Sequence, residues 1–154
     1  MEGSSSAGRY AGIGLATVRM VLGFIFIAHG YYKVIGFDDA GLGGPGGLGN
    51  LAVRMTQMGM PLPLIYLLSF GELLAGLGLF FGFLSRLSAF GIMIIMIGAI
   101  IMVHLPGGFF INWAMAPNAS HGFEYNLALI AMCWGIILGG PGSLALDNLF
   151  FGKR

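Results

Sequence analysis

Between Pro61 and Leu84 the chain reads PLPLIYLLSFGELLAGLGLFFGFL, an apolar run long enough to cross a bilayer as a helix, and its one charge is Glu72. An unpaired carboxylate near the bilayer centre costs roughly 2.5–3.5 kcal/mol on insertion scales. The chain must therefore supply a partner. Arg19, inside the apolar segment from Gly12 to Ile35, is the expected one, and the pair Arg19 and Glu72 is read as a structural ion pair at the centre of a helical bundle. Two roles stand open for it. A satisfied pair can fix helix register and do nothing more, or one member can bind or protonate something inside the bundle.

Composition sets the solvent. The 154 residues are 57% hydrophobic and 8% charged, against about a quarter charged in an ordinary soluble domain. An integral membrane protein follows. With a formal net charge of +1 there is no polybasic face for nucleic acid. The single cysteine, Cys133, excludes an internal disulfide, a cysteine-held iron–sulfur cluster and a c-type haem site. The methionines are spread along the apolar segments, which suits packing rather than metal binding.

The fold class expected is all-α: one domain, 1–154, forming a four-helix transmembrane bundle with spans at about 12–35, 61–84, 87–104 and 123–139. The start, MEGSSSAGRYAG, is polar, and the apolar segment after it is too long for a signal peptide, so it is expected to be the first span. Ser85, Arg86 and Leu87 leave room only for a tight hairpin between the second and third. Arg9, Arg86, Lys153 and Arg154 fall on the side of the termini, and Lys33 and Arg54 on the other, four against two. Both termini are therefore expected in the cytoplasm. The glycine-rich loop 36–50 is expected to be flexible. LAVRMTQMGM, from Leu51 to Met60, suits a short amphipathic helix before Pro61 opens the next span. Phe109, Phe110 and Trp113 suit an interfacial or re-entrant loop. Asn118-Ala119-Ser120 matches a glycosylation acceptor, a short and common motif. Gly-Pro-Gly at 140–142 should break the last helix, with the tail lying along the interface.

Ala16, Arg19, Gly23, Phe26, Gly30 and Lys33 recur at three- and four-residue steps, as do Ser69, Glu72 and Gly76, and Glu124, Ala128, Ala131 and Gly135. Small residues on such stripes let membrane helices approach closely. A second polar constellation is expected near the external surface. His29 and Lys33 share a helix face, His104 ends the third span and Glu124 opens the fourth. His29, Lys33, His104 and Glu124 are the candidate ligand-binding residues. Two imidazoles and a carboxylate could serve a metal or exchange protons with a quinone headgroup. No HxxH or HExxH spacing is present, which favours the organic ligand. Singly, each is better read as an interfacial residue that snorkels or caps a helix. His121 is expected to be solvated. Tyr31, Tyr32, Trp113 and Tyr125 are expected in the aromatic belt, where any could also flank a ring.

RMVLGFIFIAHGYYK from Arg19 to Lys33, GELLAGLGLFFGFLSR from Gly71 to Arg86, His104 in VHLPGGFF, GFEYNLAL from Gly122 to Leu129 and GGPGSLALD from Gly139 to Asp147 together resemble the DoxX family of small bacterial membrane proteins. The resemblance implies a four-helix membrane bundle in the bacterial inner membrane. It links some members to membrane oxidoreductases, such as the small subunit of a thiosulfate:quinone oxidoreductase, and others to redox-stress defence. Its polar signature falls on Arg19, His29, Lys33, Glu72, Arg86, His104 and Glu124. The stretch from Gly41 to Gly49 is longer than is usual in the family, which implies a specialised external face.

Two functions follow as expectations. The first is the membrane subunit of a redox system that binds a quinone-like molecule near the external leaflet. No electron carrier is encoded, so a partner protein would have to supply the electrons. The second is a non-catalytic accessory subunit packed in a larger respiratory or photosynthetic complex. A small transporter fits less well, since four spans are few and no inverted repeat stands out.

Overall fold

The computed structural model describes residues 3–36, 47–117 and 119–152. Most of the glycine-rich loop, Asn118 of the glycosylation triplet, and Lys153 and Arg154 of the charge count lie outside them. The helices are α1 (Gly3–Val34), α2 (Leu48–Gln57), α3 (Leu62–Phe81), α4 (Ser85–Ala99), α5 (Glu124–Gly139) and α6 (Leu146–Phe150). A π-helical turn, Ile100–His104, and a 3₁₀ turn, Leu105–Gly107, prolong α4. Among the described residues there is no β-strand.

Among the described residues three stretches are long and apolar enough to cross a membrane: Gly8–Val34, Leu62–Phe81 and Ser85–Gly107. The expected fourth, 123–139, is a helix of 16 residues, about 24 Å at 1.5 Å per residue and short of a hydrocarbon core about 30 Å thick. Large apolar side chains cover the outside, among them Phe24, Leu67, Leu74, Ile94 and Leu138. Arg19, Ser69, Glu72, Ser85 and Asn126 are buried. This distribution suits a solvent that is itself hydrocarbon, in which polar groups turn inward to find partners.

Glycines set the closest helix pair. A Cβ on Gly23 would lie 2.5 Å from the Phe80 nitrogen, one on Gly76 2.7 Å from the Ile27 nitrogen, and one on Gly30 2.6 Å from the Leu73 nitrogen. The expected small-residue stripes of α1 and α3 thus face each other, antiparallel and backbone to backbone. A shared core of Leu22, Phe26, Leu79, Ile92, Met96, Leu129, Cys133 and Ile136 joins α1, α3, α4 and α5. The expected amphipathic segment is α2, shifted to begin at Leu48; it turns Leu51, Ala52 and Met55 inward while Val53, Arg54 and Gln57 are exposed.

Pro61 precedes α3, and Gly82, at φ 72°, ends it in the left-handed conformation, where glycine carries no Cβ penalty. The hairpin into α4 has no cap from its own side chains. Asp147 supplies one from α6, accepting from the amides of Leu84 (2.6 Å) and Ser85 (2.8 Å), while its own amide donates to the Gly82 carbonyl (2.8 Å). The tail is therefore clamped onto the α3–α4 hairpin.

Enlarging Gly76 or Gly23 should pry α1 from α3. Gly76→Val is expected to cost about 2 kcal/mol or more through overpacking, seen as a lower unfolding temperature in detergent. Gly91→Ala, where nothing lies within 4 Å of the new Cβ, should leave that temperature unchanged or raise it slightly.

Candidate functional site

Glu72 pairs with Lys33, not with Arg19. The Lys33 ammonium donates to both carboxylate oxygens, at 2.6 and 2.5 Å, and the Glu72 side chain is 4% exposed against 31% for Lys33. The reason is register. Contacts of Gly30 with Leu73 and of Gly23 with Phe80 fix the antiparallel pair, so the α1 residue that reaches Glu72 must lie close beyond Gly30. Arg19 is 14 positions earlier, about 21 Å along the helix. Lys33, in the last turn of α1, extends its stem back toward the preceding turn, as helical side chains do.

Arg19 is fully buried and answers a different demand. Its Nε donates to the Pro141 carbonyl (2.8 Å), Nη1 to those of Leu79 (2.5 Å) and Phe80 (3.0 Å), and Nη2 to those of Leu144 (3.1 Å) and Ser143 (3.4 Å). The last carbonyls of a helix lack intrahelical donors and carry partial negative charge. The planar guanidinium, with five donors, satisfies such groups at the end of α3 together with the turn after α5, and Asp147 is its electrostatic partner.

Around Lys33 and Glu72 opens a cavity of about 420 Å³. His29 and Lys33 reach it from α1 and His104 from the π-turn after α4. His121, Tyr125 and Asn126 also line it, with Phe26, Met96 and Leu129 among its apolar walls. His29, Lys33 and His104 are thus brought together. Glu124 is not in the lining. Its Oε1 accepts from the Ile111 amide (3.2 Å) and the Trp113 indole (3.1 Å), fastening the loop whose Ile111 faces the cavity. Backbone bonds from Gly122 to Phe110, Phe123 to Gly108 and Glu124 to Phe109, at 2.9–3.1 Å, hold that loop down.

The histidine tautomers follow from their backbone partners. A carbonyl only accepts, so Nδ1 of His29, 2.9 Å from the Ile25 oxygen, carries a hydrogen, and so does Nδ1 of His104, 3.1 Å from the His121 oxygen. Neutral, both rings keep a lone pair at Nε2. Nδ1 of His121 accepts from the Asn112 amide at 3.2 Å, which makes its Nε2 a donor. His121 is exposed, as expected, and it also lines the cavity, as do Tyr125 and Asn126. Asn126 offered a signal in the sequence, an amide two residues beyond Glu124 in an apolar helix; it is 5% exposed and donates to the Met96 sulfur, a weak acceptor. Among the described residues no group of three or more His, Cys, Asp or Glu is placed to hold a metal ion.

The sequence model of the DoxX family matches residues 14–105, a stretch that holds Arg19, His29, Lys33, Glu72 and His104. The chain belongs to the DoxX family. Its relatives include an uncharacterized membrane protein of Mycobacterium tuberculosis, 30% identical over 85% of this chain and 77% of the relative. An uncharacterized protein of Haemophilus influenzae is 27% identical over 90% of this chain and 92% of its own length. A protein of Bacillus subtilis named putative oxidoreductase CatD is 31% identical, covering 92% of this chain and 91% of that one. No solved structure matches the chain significantly. In this DoxX protein Arg19 lies at one end of the bundle and the Lys33–Glu72 pair at the other.

Breaking the pair should hurt more than removing it. Lys33→Met strands the buried Glu72 charge and is expected to cost about 3–5 kcal/mol, Glu72→Leu leaves the part-exposed Lys33 and should cost less, and the double variant should recover most of the larger loss. Thermal unfolding of the three variants in detergent measures the difference.

Proposed function

We propose that this DoxX protein is a single-domain, four-span bundle of the bacterial inner membrane with cytoplasmic termini. It serves as the membrane subunit of a redox system and binds a quinone-like ring compound in the cavity around His29, Lys33 and His104. The observation that carries this reading is the cavity itself. Its volume of about 420 Å³ is within the range of small-molecule sites, and its apolar walls with a few convergent polar groups are their usual lining. In the sequence, Arg9, Arg86, Lys153 and Arg154 against Lys33 and Arg54, four to two, support the orientation. The name of the Bacillus subtilis relative, putative oxidoreductase CatD, supports the redox role.

Each residue then has a task. The Lys33 ammonium and the His121 Nε2–H donate to ring carbonyl oxygens, and Phe26 and Tyr125 bound the ring. Reduction of a quinone takes two electrons and two protons. A partner protein supplies the electrons; His29 and His104, protonated at Nε2, supply the protons and recover them from water. Glu124 is a positioning residue that acts through the loop it fastens.

Purified protein reconstituted with a short-chain benzoquinone should bind it, and His104→Ala and His121→Ala should each weaken binding about tenfold or more, or 1.4 kcal/mol, with the fold intact by circular dichroism. Binding by both variants as tight as by the parent would overturn the site. Stoichiometric co-purification with other subunits and no quinone bound would favour the accessory role.

A further inference from the structure

A second cavity, about 370 Å³, lies between α2, α3 and α4. It shares Lys33, Glu72, Ala99 and His104 with the first, so the two abut at the ion pair. Their chemistry differs. Away from the shared residues the second is walled by aliphatic and thioether side chains such as Leu51, Met55, Leu68, Ile94 and Met102, with Ser69 among them. The Ser69 hydroxyl is already satisfied by the Ile65 carbonyl at 2.8 Å. Nothing along this cavity asks for a polar ligand except at the end where it meets Lys33, Glu72 and His104.

We propose that this cavity receives the hydrocarbon tail of the same ligand whose ring occupies the first, so that the substrate class is a membrane quinone with a long alkyl or isoprenoid chain. The proposal rests on the quinone reading above and specifies it. Ring and tail divide at the Lys33–Glu72 pair, the polar feature common to both spaces. A tail gains little transfer energy on leaving lipid, since lipid is as apolar as the cavity wall. What the cavity supplies is position, because a seated tail brings the ring to the histidines and cuts the orientational freedom lost on binding. Methionine walls suit such an occupant, their unbranched thioethers adapting to a flexible chain. Leu51 and Met55 belong to α2, which connects to α1 through the loop and lies along the side of α3, so the tail enters from the lipid side past this short helix.

Gly98 gives a clean test, since it lines the cavity and nothing lies within 4 Å of an added Cβ. Parent, Gly98→Leu and, on a different helix, Leu51→Trp are compared in nanodiscs for binding of a decyl-tailed benzoquinone and of the same ring without the tail. Both variants should lose about tenfold in affinity for the tailed compound, equivalent to 1.4 kcal/mol, and bind the tail-less ring as the parent does. Partition of the tailed compound into lipid cancels in the parent-to-variant ratio, and retained binding of the tail-less ring shows that each variant is folded. Unchanged affinity of both variants for the tailed compound overturns the tail site and leaves the ring site standing. A parent that binds neither compound overturns the ring reading, and the tail site with it.

Discussion

A carboxylate in the middle of a membrane helix is tolerable only where a cation is delivered to it, and Lys33 is what delivers one to Glu72. The rest of the bundle can be understood as the means of that delivery. Gly23, Gly30 and Gly76 bring the α1 and α3 backbones together, and their contacts set a register in which the last turn of α1 comes to the middle of α3. Association of helices in lipid relies on such close packing, since no hydrophobic force separates protein from solvent. The same register carries Arg19 to the far end of α3, where it meets carbonyls instead of a carboxylate.

The two ends of the molecule are thus built on different physics. Around Arg19, one side chain satisfies five backbone acceptors drawn from α3 and from the turn after α5, and Asp147 closes the arrangement by capping α4. That end is close to saturated, the Ser85 hydroxyl being the one buried side-chain polar atom among the described residues without a hydrogen-bond partner. Around Lys33 and Glu72 the polar groups are fewer than the space they border. Three imidazoles are held by backbone bonds through Nδ1 alone, and an asparagine amide is matched with a sulfur. Binding capacity sits where polar groups are positioned but incompletely used.

Much of this was legible in the sequence. The apolar runs, the small-residue stripes of α1 and α3 and the amphipathic segment before Pro61 each follow from local pattern, and the structure carries them; the tight turn falls at Gly82–Leu84, just before the expected Ser85–Leu87, and the stripe expected on α5 packs against no helix, since Ala128, Ala131 and Gly135 are exposed. The convergence of His29, Lys33 and His104 also follows from depth along the helices. The partner of Glu72 did not, because depth judged from the ends of apolar segments ignores register, and register depends on glycine contacts between two chains of backbone. Nor did the place of His121. Its neighbours are set by a loop pinned through Glu124, Trp113 and Gly122, a non-local arrangement without periodicity. The shortness of α5 was in view, since the expected last span, 123–139, differs from the helix only by Phe123. The π-turn that ends in His104 arises in an Ile-Ile-Met-Val run that reads as ordinary helix.

The register of α1 on α3 is the central claim, and cross-linking measures it most directly. With Cys133 replaced by serine, cysteine pairs at positions 33 and 72, and at positions 18 and 72, are treated in membranes with a short thiol-specific bifunctional reagent. The account predicts efficient intramolecular linkage of the first pair and none of the second. Linkage of 18 to 72 with none of 33 to 72 would place Glu72 beside Arg19 and contradict it.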